Sequence, residues 1–273
     1  MSSDAIRVGD RFAWTAALLA AVAAIGGFVA NPYWDSPEMI REAHAADLAI
    51  LIAVLVLAAG LLWARQGAFA GRVVALGALG FLVYTYAFYA FEVRVTALTP
   101  FHIAIIGLAT WSLFLVVPAL GSAPPEPSFG VRLPRRTTGS VALVIAALFG
   151  LQWIGQIAGV IGSRQMPSDL VELNVPTNIV WTLDLAFALP ILVLAGFWLL
   201  LGRSWGPAIA VGWFVFGALT AVEILAIFAW DGAAGKSIVA PVVGLFVIVL
   251  VVQAMLAGLG LLPRPNRKTS IVH

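Results

Sequence analysis

The chain has 273 residues, of which 62% are hydrophobic and 10% are charged, and its formal net charge is +2. Soluble domains average roughly 45–50% apolar and about 25% charged residues, so this composition excludes an ordinary water-soluble protein. Cysteine is absent from the sequence, which excludes disulfides, thiolate catalysis and cysteine-bound metal centres.

Eight apolar segments follow one another along the chain. A bilayer core requires about 20 predominantly apolar residues per helix, within a range of roughly 17–25. The sequence therefore predicts an all-α integral membrane protein with eight transmembrane helices. The predicted spans are residues 12–30, 46–64, 71–92, 99–120, 139–162, 177–201, 205–229 and 237–262.

Basic residues are distributed unevenly between the loops on the two sides of these spans. With the N-terminus inside, eleven of the fifteen basic residues are cytoplasmic, which is the positive-inside pattern, and both termini are then cytoplasmic. These eleven are Arg7, Arg11, Arg65, Arg72, Arg132, Arg135, Arg136, Arg203, Arg264, Arg267 and Lys268. Ten of the thirteen acidic residues fall on or near the opposite, outer face. The basic charge therefore indicates topology in a bacterial inner membrane and no nucleic-acid partner.

A Pro- and Arg-rich stretch at residues 121–138 divides the chain into two parts. We expect a first four-helix half at 1–120, a cytoplasmic linker at 121–138, and a second four-helix half with a basic tail at 139–273. An even number of spans in each half gives both halves the same orientation, which makes the predicted repeat parallel.

A repeated phrase supports an internal duplication. Residues 47–58 match residues 184–195 at seven of twelve positions, and each segment opens with Asp-Leu-Ala. The alternative is that any two Ala-, Leu- and Val-rich helices look alike, because such segments are weakly informative.

Local signals predict several helix starts and bends. Ser36 can cap a helix with Pro37 at its first position, and Ser168 can begin a short helix in the next outer loop. Thr99 and Pro100 are expected to begin the fourth span. Pro190 and Pro241 lie inside the predicted sixth and eighth spans, where they would interrupt backbone hydrogen bonding and allow bending.

Four polar residues fall in one band near the outer side of spans five to seven. Asp184 and Glu223 each lie seven residues from the outer end of their span, and Gln152 and Gln156 share a face of span five. Ionised carboxylates are costly at this depth, so one of the pair can hold a proton. These residues predict a proton- or cation-binding pocket that opens to the outer face. The structural alternative is a shared-proton hydrogen bond, or an ion pair with Lys236 or Arg164, that only fixes the bundle.

Further candidates come from the first half. Asp47 is predicted at or just outside the membrane edge, in water, where a carboxylate near a helix N-terminus is stable. Tyr86 and Tyr89 share a stripe with Glu92 and can form the opposite wall of the same pocket, whereas Tyr84 is expected to project elsewhere. The alternative for these tyrosines is an aromatic belt or packing.

The histidines follow no recognised ligand spacing. His102 falls in the first turn of span four and His44 precedes span two, while His273 is in the tail. Interfacial histidines are favoured, with haem ligation by His44 and His102 as the alternative; no cofactor and no metal site are predicted.

The sequence thus predicts a multi-pass protein that binds or translocates a small solute or cation, and a proton-linked mechanism is one version of this hypothesis. The alternative is a non-transporting accessory, scaffold or sensory subunit of a membrane complex, and a third hypothesis is an enzyme that acts on a lipid or binds haem. Phosphate-binding loops, nucleophile elbows and metalloprotease motifs are absent from the sequence, which disfavours an enzyme. Expected partners are the lipid bilayer, a small solute or cation, and a second copy or partner subunits.

Overall fold

The computed structural model describes residues 2–121 and 129–262, and this part of the chain is helical with no β-strand. Linker residues 122–128 and the tail, with Arg264, Arg267, Lys268 and His273, lie outside the described residues. The helices are α1 (Ser2–Ala30), α2 (Pro37–Arg65), α3 (Phe69–Phe91), α4 (Thr99–Gly121), α5 (Arg135–Ser163), α6 (Ser168–Leu173), α7 (Ile179–Leu183), α8 (Leu189–Leu200), α9 (Gly206–Ala233) and α10 (Ala240–Leu261).

Eight helices in the described ranges are long and apolar enough to cross a membrane, as in a multi-pass membrane protein. They are α1 to α5, the stretch Ile179–Leu200, α9 and α10. The prediction of eight spans is confirmed. Some helices continue beyond their apolar part, and α2 begins nine residues before the predicted span because Ser36 and Pro37 start it early.

The predicted helix starts are confirmed. The Ser36 hydroxyl accepts a hydrogen bond from the Met39 N–H at 3.2 Å, which satisfies one of the free donors at the start of α2. The helix that begins at Pro37 continues without a break into the second span. The short helix α6 begins at Ser168, and α4 begins at Thr99.

The sixth span is interrupted where Pro190 enters it. Residues Asp184–Ala188 form a π-helical turn between α7 and α8, with Leu189 N–H donating to the Asp184 carbonyl. Proline lacks an N–H and crowds the carbonyl four residues earlier, so the wider turn accommodates it. Pro241 differs from the prediction, because it lies in the first turn of α10, where a missing N–H breaks no helical bond.

The helices pack as two connected groups. In the first group, α1 contacts α2 and α4, and α3 contacts α2 and α4. In the second, α5 packs on α8, α8 on α9, and α9 on α10. The groups meet where α9 packs against both α2 and α3, so α9 lies next to the core of the first half.

A glycine contact fixes this junction. A methyl group added at Gly77 of α3 would overlap the backbone oxygen of Gly212 of α9. Small residues at such crossings let helix backbones approach closely, which is the usual packing device in lipid. The distance between the two halves is therefore set by the absence of a side chain at Gly77.

The turns after the second and sixth spans match in detail. Gly67 and Gly202 each follow the helix with a positive φ, of 83° and 66°. Gly71 lies against the backbone of Trp63, and Gly206 lies against the backbone of Trp198. Each position in the second half is 135 residues after its counterpart in the first.

The loops 31–36, 92–98, 164–178 and 234–239 meet at one end of the bundle, which we call the acidic end. The Trp34 indole N–H donates to the Val95 carbonyl at 3.0 Å, and the Lys236 ammonium donates to Glu172 at 3.0 Å. Arg41 of α2 pairs with Asp231 of α9 at 2.8 Å. These contacts join the first-half loops to one another and α2 to α9.

Candidate functional site

Two consecutive residues of α3 hold the two carboxylates of the second half. The Tyr84 hydroxyl donates to Asp184 Oδ1 at 3.0 Å, and the Thr85 hydroxyl donates to Glu223 Oε2 at 3.0 Å. Both carboxylates are partly buried. Asp184 and Glu223 are therefore attached to adjacent positions of one helix, in the interior between the halves.

Asp184 has a second donor from the opposite direction. The Trp153 indole N–H of α5 donates to Asp184 Oδ2 at 2.7 Å. One oxygen of this carboxylate thus faces α3 and the other faces α5. The π-helical turn begins at Asp184 itself, and such turns inside helices occur frequently at functional sites.

Two more carboxylates lie in the same electrostatic environment. Glu92 and Glu223 both lie within electrostatic range of Glu42. Asp184, Glu223 and Glu92 all lie within electrostatic range of the Tyr84 hydroxyl. Thr85 lies seven residues before Glu92 on α3, which corresponds to about 10 Å along the helix axis. We call Glu42, Glu92, Asp184 and Glu223 the acid row, because they lead from the acidic end into the bundle.

Glu92 begins this row at the end of α3. Its Oε1 accepts a hydrogen bond from the Ile179 N–H at 2.5 Å, at the start of α7. Burial raises the pKa of Glu92, and the bond from Ile179 opposes that rise. Glu92 therefore joins α3 to the sixth span and carries a carboxyl group whose ionisation is opposed by burial.

A separate polar centre occupies the first half. Asp47 accepts hydrogen bonds from the Tyr33 and Tyr89 hydroxyls, each at 2.8 Å. Its exposure is only 2%, so the prediction that Asp47 lies in water is wrong. The reason is the early start of α2 at Pro37, which places Asp47 ten residues, or about 15 Å, into the helix.

The environment of Asp47 also restrains its neighbours. Gly27 of α1 faces the carboxylate, and a methyl group added there would overlap both Asp47 and the Tyr33 hydroxyl. Burial and the Asp47 carboxylate both raise the pKa of the Tyr33 hydroxyl. The centre is closely packed, which favours a structural role.

Tyr86 and Tyr89 do not face the acid row, in contrast to the prediction. The Tyr86 hydroxyl donates to the Ala20 carbonyl at 3.2 Å, and the Tyr89 hydroxyl also lies 2.6 Å from the Ala43 carbonyl oxygen. Tyr84, which was expected to project elsewhere, contacts Asp184 instead. Successive helix positions turn by about 100°, so Tyr84 and Tyr86 project about 200° apart around α3, Tyr84 toward Asp184 of the sixth span and Tyr86 toward Ala20 of α1.

His102 is buried beside the same tyrosines. Its ring centroid lies 4.7 Å from that of Tyr89 and 5.5 Å from that of Tyr86, and its exposure is 2%. His44 stacks on Phe28 with a centroid separation of 5.5 Å. The searched part of the chain contains no group of three or more His, Asp and Glu side chains that could hold a metal ion.

The two glutamines of α5 lie outside the acid row. Gln152 and Gln156 are both exposed, and Gln156 Oε1 accepts a bond from the Trp181 indole N–H at 3.0 Å. Trp153, between them in sequence, is the α5 residue that bonds to Asp184. The hydrogen bonds described for this region therefore do not join either glutamine to Asp184, and the expectation that both orient a ligand there stays a prediction.

Basic side chains at the acidic end pair with other carboxylates. Lys236 bonds to Glu172 at 3.0 Å and lies 3.3 Å from Glu38, and the bond to Glu172 raises the pKa of Lys236. The bonds described for Asp184 and Glu223 come from neutral donors instead. Their negative charge, when present, is thus stabilised by hydroxyl and indole dipoles.

No family model, curated protein or solved structure matches this chain. The case for its function consequently rests on the acid row. Carboxylates held by neutral donors can exchange a proton for a small cation, because either species compensates the same negative charge. Sequence patterns missed Tyr84, Thr85 and Trp153, since a hydroxyl or indole in an apolar span has no signal that distinguishes a ligand contact from packing.

Proposed function

We propose that the protein binds or carries a small cation, or a cationic solute, in exchange for protons at the acid row. The observation that carries this proposal is the pair of bonds from Tyr84 and Thr85 to Asp184 and Glu223. It attaches two intramembrane carboxylates to consecutive residues of α3, and Glu42, nearer the acidic end, lies within electrostatic range of both Glu92 and Glu223. Intramembrane ionisable residues are costly and mark ion pathways or proton relays in many membrane proteins.

The acid row opens to the outer, periplasmic side of a bacterial inner membrane in this proposal. The distribution of basic residues supports cytoplasmic termini, which puts the loops of the acidic end outside. A surplus of carboxylates around an entrance raises the local concentration of cations and lowers that of anions. The site thus selects positive charge before a solute reaches Glu223.

The two halves are parallel copies of one four-helix unit in this proposal. The matched turns at Gly67 and Gly202, and the matched contacts of Gly71 and Gly206, support a duplication beyond the repeated Asp-Leu-Ala phrase. In the first half the repeated aspartate is enclosed by tyrosines, whereas in the second half it joins the acid row. Binding sites at the interface of two repeats are common among transporters.

Each residue of the site has a defined task. Glu223 and Asp184 accept the cation or the proton, Tyr84 and Thr85 orient them, and Glu92 and Glu42 form the route from the acidic end. The π-helical turn at Asp184 gives the sixth span a place to bend, because its backbone hydrogen bonds join residues five apart instead of the four of an α-helix.

Proton flux in reconstituted vesicles tests the proposal. Vesicles that contain a pH-sensitive dye are given a pH gradient and then pulses of Na⁺, K⁺ or tetramethylammonium, which has no membrane-permeant neutral form. We expect at least one of these cations to dissipate the gradient with wild-type protein, and Glu223→Gln to abolish that response. Thr220→Val is the matched control, because Thr220 lies on α9 one turn away and donates only to its own helix, at the Phe216 carbonyl. A Glu223→Gln profile equal to that of wild type would overturn the assignment.

A second candidate is an accessory or sensory subunit of a membrane complex. The observation in its favour is the poor coverage of α5. Only 11% of the most apolar stretch of this helix is buried inside the protein, and its Gln152 is exposed. An amide that faces lipid is costly unless another helix bonds to it. Cross-linking from position 152 in native membranes tests this candidate: a specific adduct supports a partner subunit or a second copy, and adducts with lipid alone count against it.

A further inference from the structure

Five charged side chains at the acidic end are joined by ion pairs. Arg41 of α2 donates to Glu38, one turn earlier on its own helix, and to Asp231 of α9, each at 2.8 Å. Lys236, in the segment after α9, donates to Glu172 of α6 at 3.0 Å and lies 3.3 Å from Glu38. We call these five residues the ion-pair network. It ties α2, α6 and α9 together through side chains alone.

The ion-pair network lies between the acid row and the acidic end. Glu42 of the acid row directly follows Arg41 on α2 and lies one turn after Glu38, on the same helix face. Asp231 follows Glu223 on α9 and lies about 12 Å nearer the acidic end along the helix axis. Asp231 and Glu223 are both within electrostatic range of Glu42. The pair between Arg41 and Asp231 therefore joins the two helices that carry Glu42 and Glu223, on the side from which a cation would enter.

The carboxylates of the network are paired, whereas those of the acid row are not. Each of the three carboxylates in the network lies within 3.0 Å of a basic nitrogen. The bonds described for Asp184, Glu223 and Glu92 come from neutral donors instead. The ion pairs found within residues 2–121 and 129–262 do not include Glu42. A cation from water thus meets paired carboxylates first, and carboxylates without a basic partner only beyond them.

The contacts of the network are of a kind that opens easily. The exposed fractions of its side chains run from 17% for Arg41 to 56% for Glu172. Water and salt screen ion pairs at such positions, so each pair contributes little to stability. Lys236 belongs to a non-helical segment and follows Gly235, which has a positive φ of 80°. A small rearrangement of the acidic end is therefore enough to separate the elements that the network joins.

We propose that the ion-pair network is a gate that closes the acid row from the acidic end, with Arg41 as its central residue. This inference rests on the proposed function and adds its regulation: cations reach the acid row only when the pair between Arg41 and Asp231 is broken. An arriving cation competes with Arg41 for Glu38 and Asp231, because a carboxylate accepts either positive partner. The alternative is a fixed clamp, which separates only when the whole bundle loosens.

Thiol labelling measures access to the acid row without reliance on transport. The chain has no cysteine, so an introduced cysteine is its only thiol. Thr85→Cys places this thiol beside Glu223, to which the Thr85 hydroxyl donates. The full-length protein in lipid nanodiscs is treated with the cationic reagent trimethylammonioethyl methanethiosulfonate. We expect Arg41→Gln to raise the labelling rate by at least about tenfold, because the open form is then more populated.

Two controls separate a gate from a general effect. Arg94→Gln removes another arginine of the acidic end, which pairs with Asp35 and lies outside the network. We expect it to leave the labelling rate of Thr85→Cys within about twofold of that with Arg94 intact. Ala53→Cys places the thiol at a buried position deeper in α2, away from the network. We expect Arg41→Gln to leave the labelling rate at this second position unchanged.

The labelling rates decide between a gate and a fixed clamp. A smaller rise in Arg41→Gln, or an equal rise in Arg94→Gln, would overturn the gate. An equal rise at Thr85→Cys and Ala53→Cys shows a loosened bundle and would overturn it as well. Asp231→Asn breaks the same pair from the α9 side and replaces Arg41→Gln, with the same expected rise, if that variant does not fold.

The proton-flux assay on the same variants separates the two proposals. Labelling that depends on Arg41, without flux for any tested cation, overturns the proposed exchange and leaves a gated acidic site. Cation-driven flux with no effect of Arg41→Gln on labelling overturns the gate and leaves the acid row intact.

Discussion

Replacement of Asp47 by leucine should destabilise the first half, because it removes the acceptor that two buried tyrosine hydroxyls share. Asp47 accepts from Tyr33 and Tyr89, each at 2.8 Å. The Tyr89 hydroxyl retains a second acceptor, the Ala43 carbonyl oxygen at 2.6 Å, when the carboxylate is removed. The Tyr33 hydroxyl, in a side chain that is 6% exposed, loses its bond to the carboxylate and keeps only its contact with the Tyr89 hydroxyl.

The magnitude follows from this count. A hydrogen bond to a charged group contributes about 1.5–3 kcal/mol, and the remaining contact between the two hydroxyls offsets part of its loss, so Asp47→Leu should lower the free energy of unfolding by about 1–3 kcal/mol. Asp47→Asn keeps an acceptor for Tyr33 and should cost less than about 1 kcal/mol. Tyr33→Phe should be destabilising in the wild type by about 1 kcal/mol and nearly neutral in Asp47→Leu, because the bond to the carboxylate is then already lost.

Reversible unfolding by detergent titration in mixed micelles measures these four variants and the coupling between positions 33 and 47. A Tyr33→Phe effect of the same size and sign in both backgrounds would show that the two side chains are independent. That result would refute the hydrogen-bonded centre around Asp47.

Two further predictions concern the junction and the acidic end. Gly77→Ala should destabilise the fold by about 1–3 kcal/mol, because its methyl group overlaps the Gly212 backbone oxygen. Gly212→Ala is the control, since its added carbon has its nearest neighbours at 3.7 Å, an ordinary contact; equal losses in the same unfolding assay would contradict the close approach. For Glu92, burial raises the folded-state pKa above the ordinary 4.5, so the stability it contributes is fully present below pH 4.5 and is lost as the pH rises through the raised value. Glu92→Gln keeps an acceptor for the Ile179 N–H and should remove this pH-dependent part of the unfolding free energy. If plots of unfolding free energy against pH for the wild type and the variant stay parallel between pH 4.5 and the raised pKa, the prediction is contradicted.

The sequence was sufficient for the architecture because span length and apolar content are properties of continuous segments. Eight spans and the starts at Ser36, Ser168 and Thr99 could be predicted, since capping residues act within one helical turn. The π-helical turn was predicted only as a bend near Pro190. Its exact form depends on how α7 and α8 share carbonyls around the proline, which no local pattern specifies.

The site was only partly predictable. Asp184 and Glu223 stood out because a carboxylate in an apolar span is costly wherever it points. Which tyrosine of α3 contacts Asp184 depends on the rotation of that helix, and a choice between positions 84 and 86 requires knowledge of which helices pack on each face. Asp47 was misplaced for a related reason, because hydrophobicity located the start of the apolar segment and not the start of α2.

The most direct test of the account is whether Glu223 exchanges a proton for a cation. Infrared difference spectra of the protein in lipid, with and without Na⁺, K⁺ or methylammonium, report the stretching band of a protonated carboxyl group. We expect at least one of these cations to remove such a band in the wild type, and the band to be missing from Glu223→Gln but retained in Asp169→Asn, whose carboxylate is exposed on α6. A band that none of the cations changes, or one that persists in Glu223→Gln, would contradict proton-coupled cation binding at the acid row.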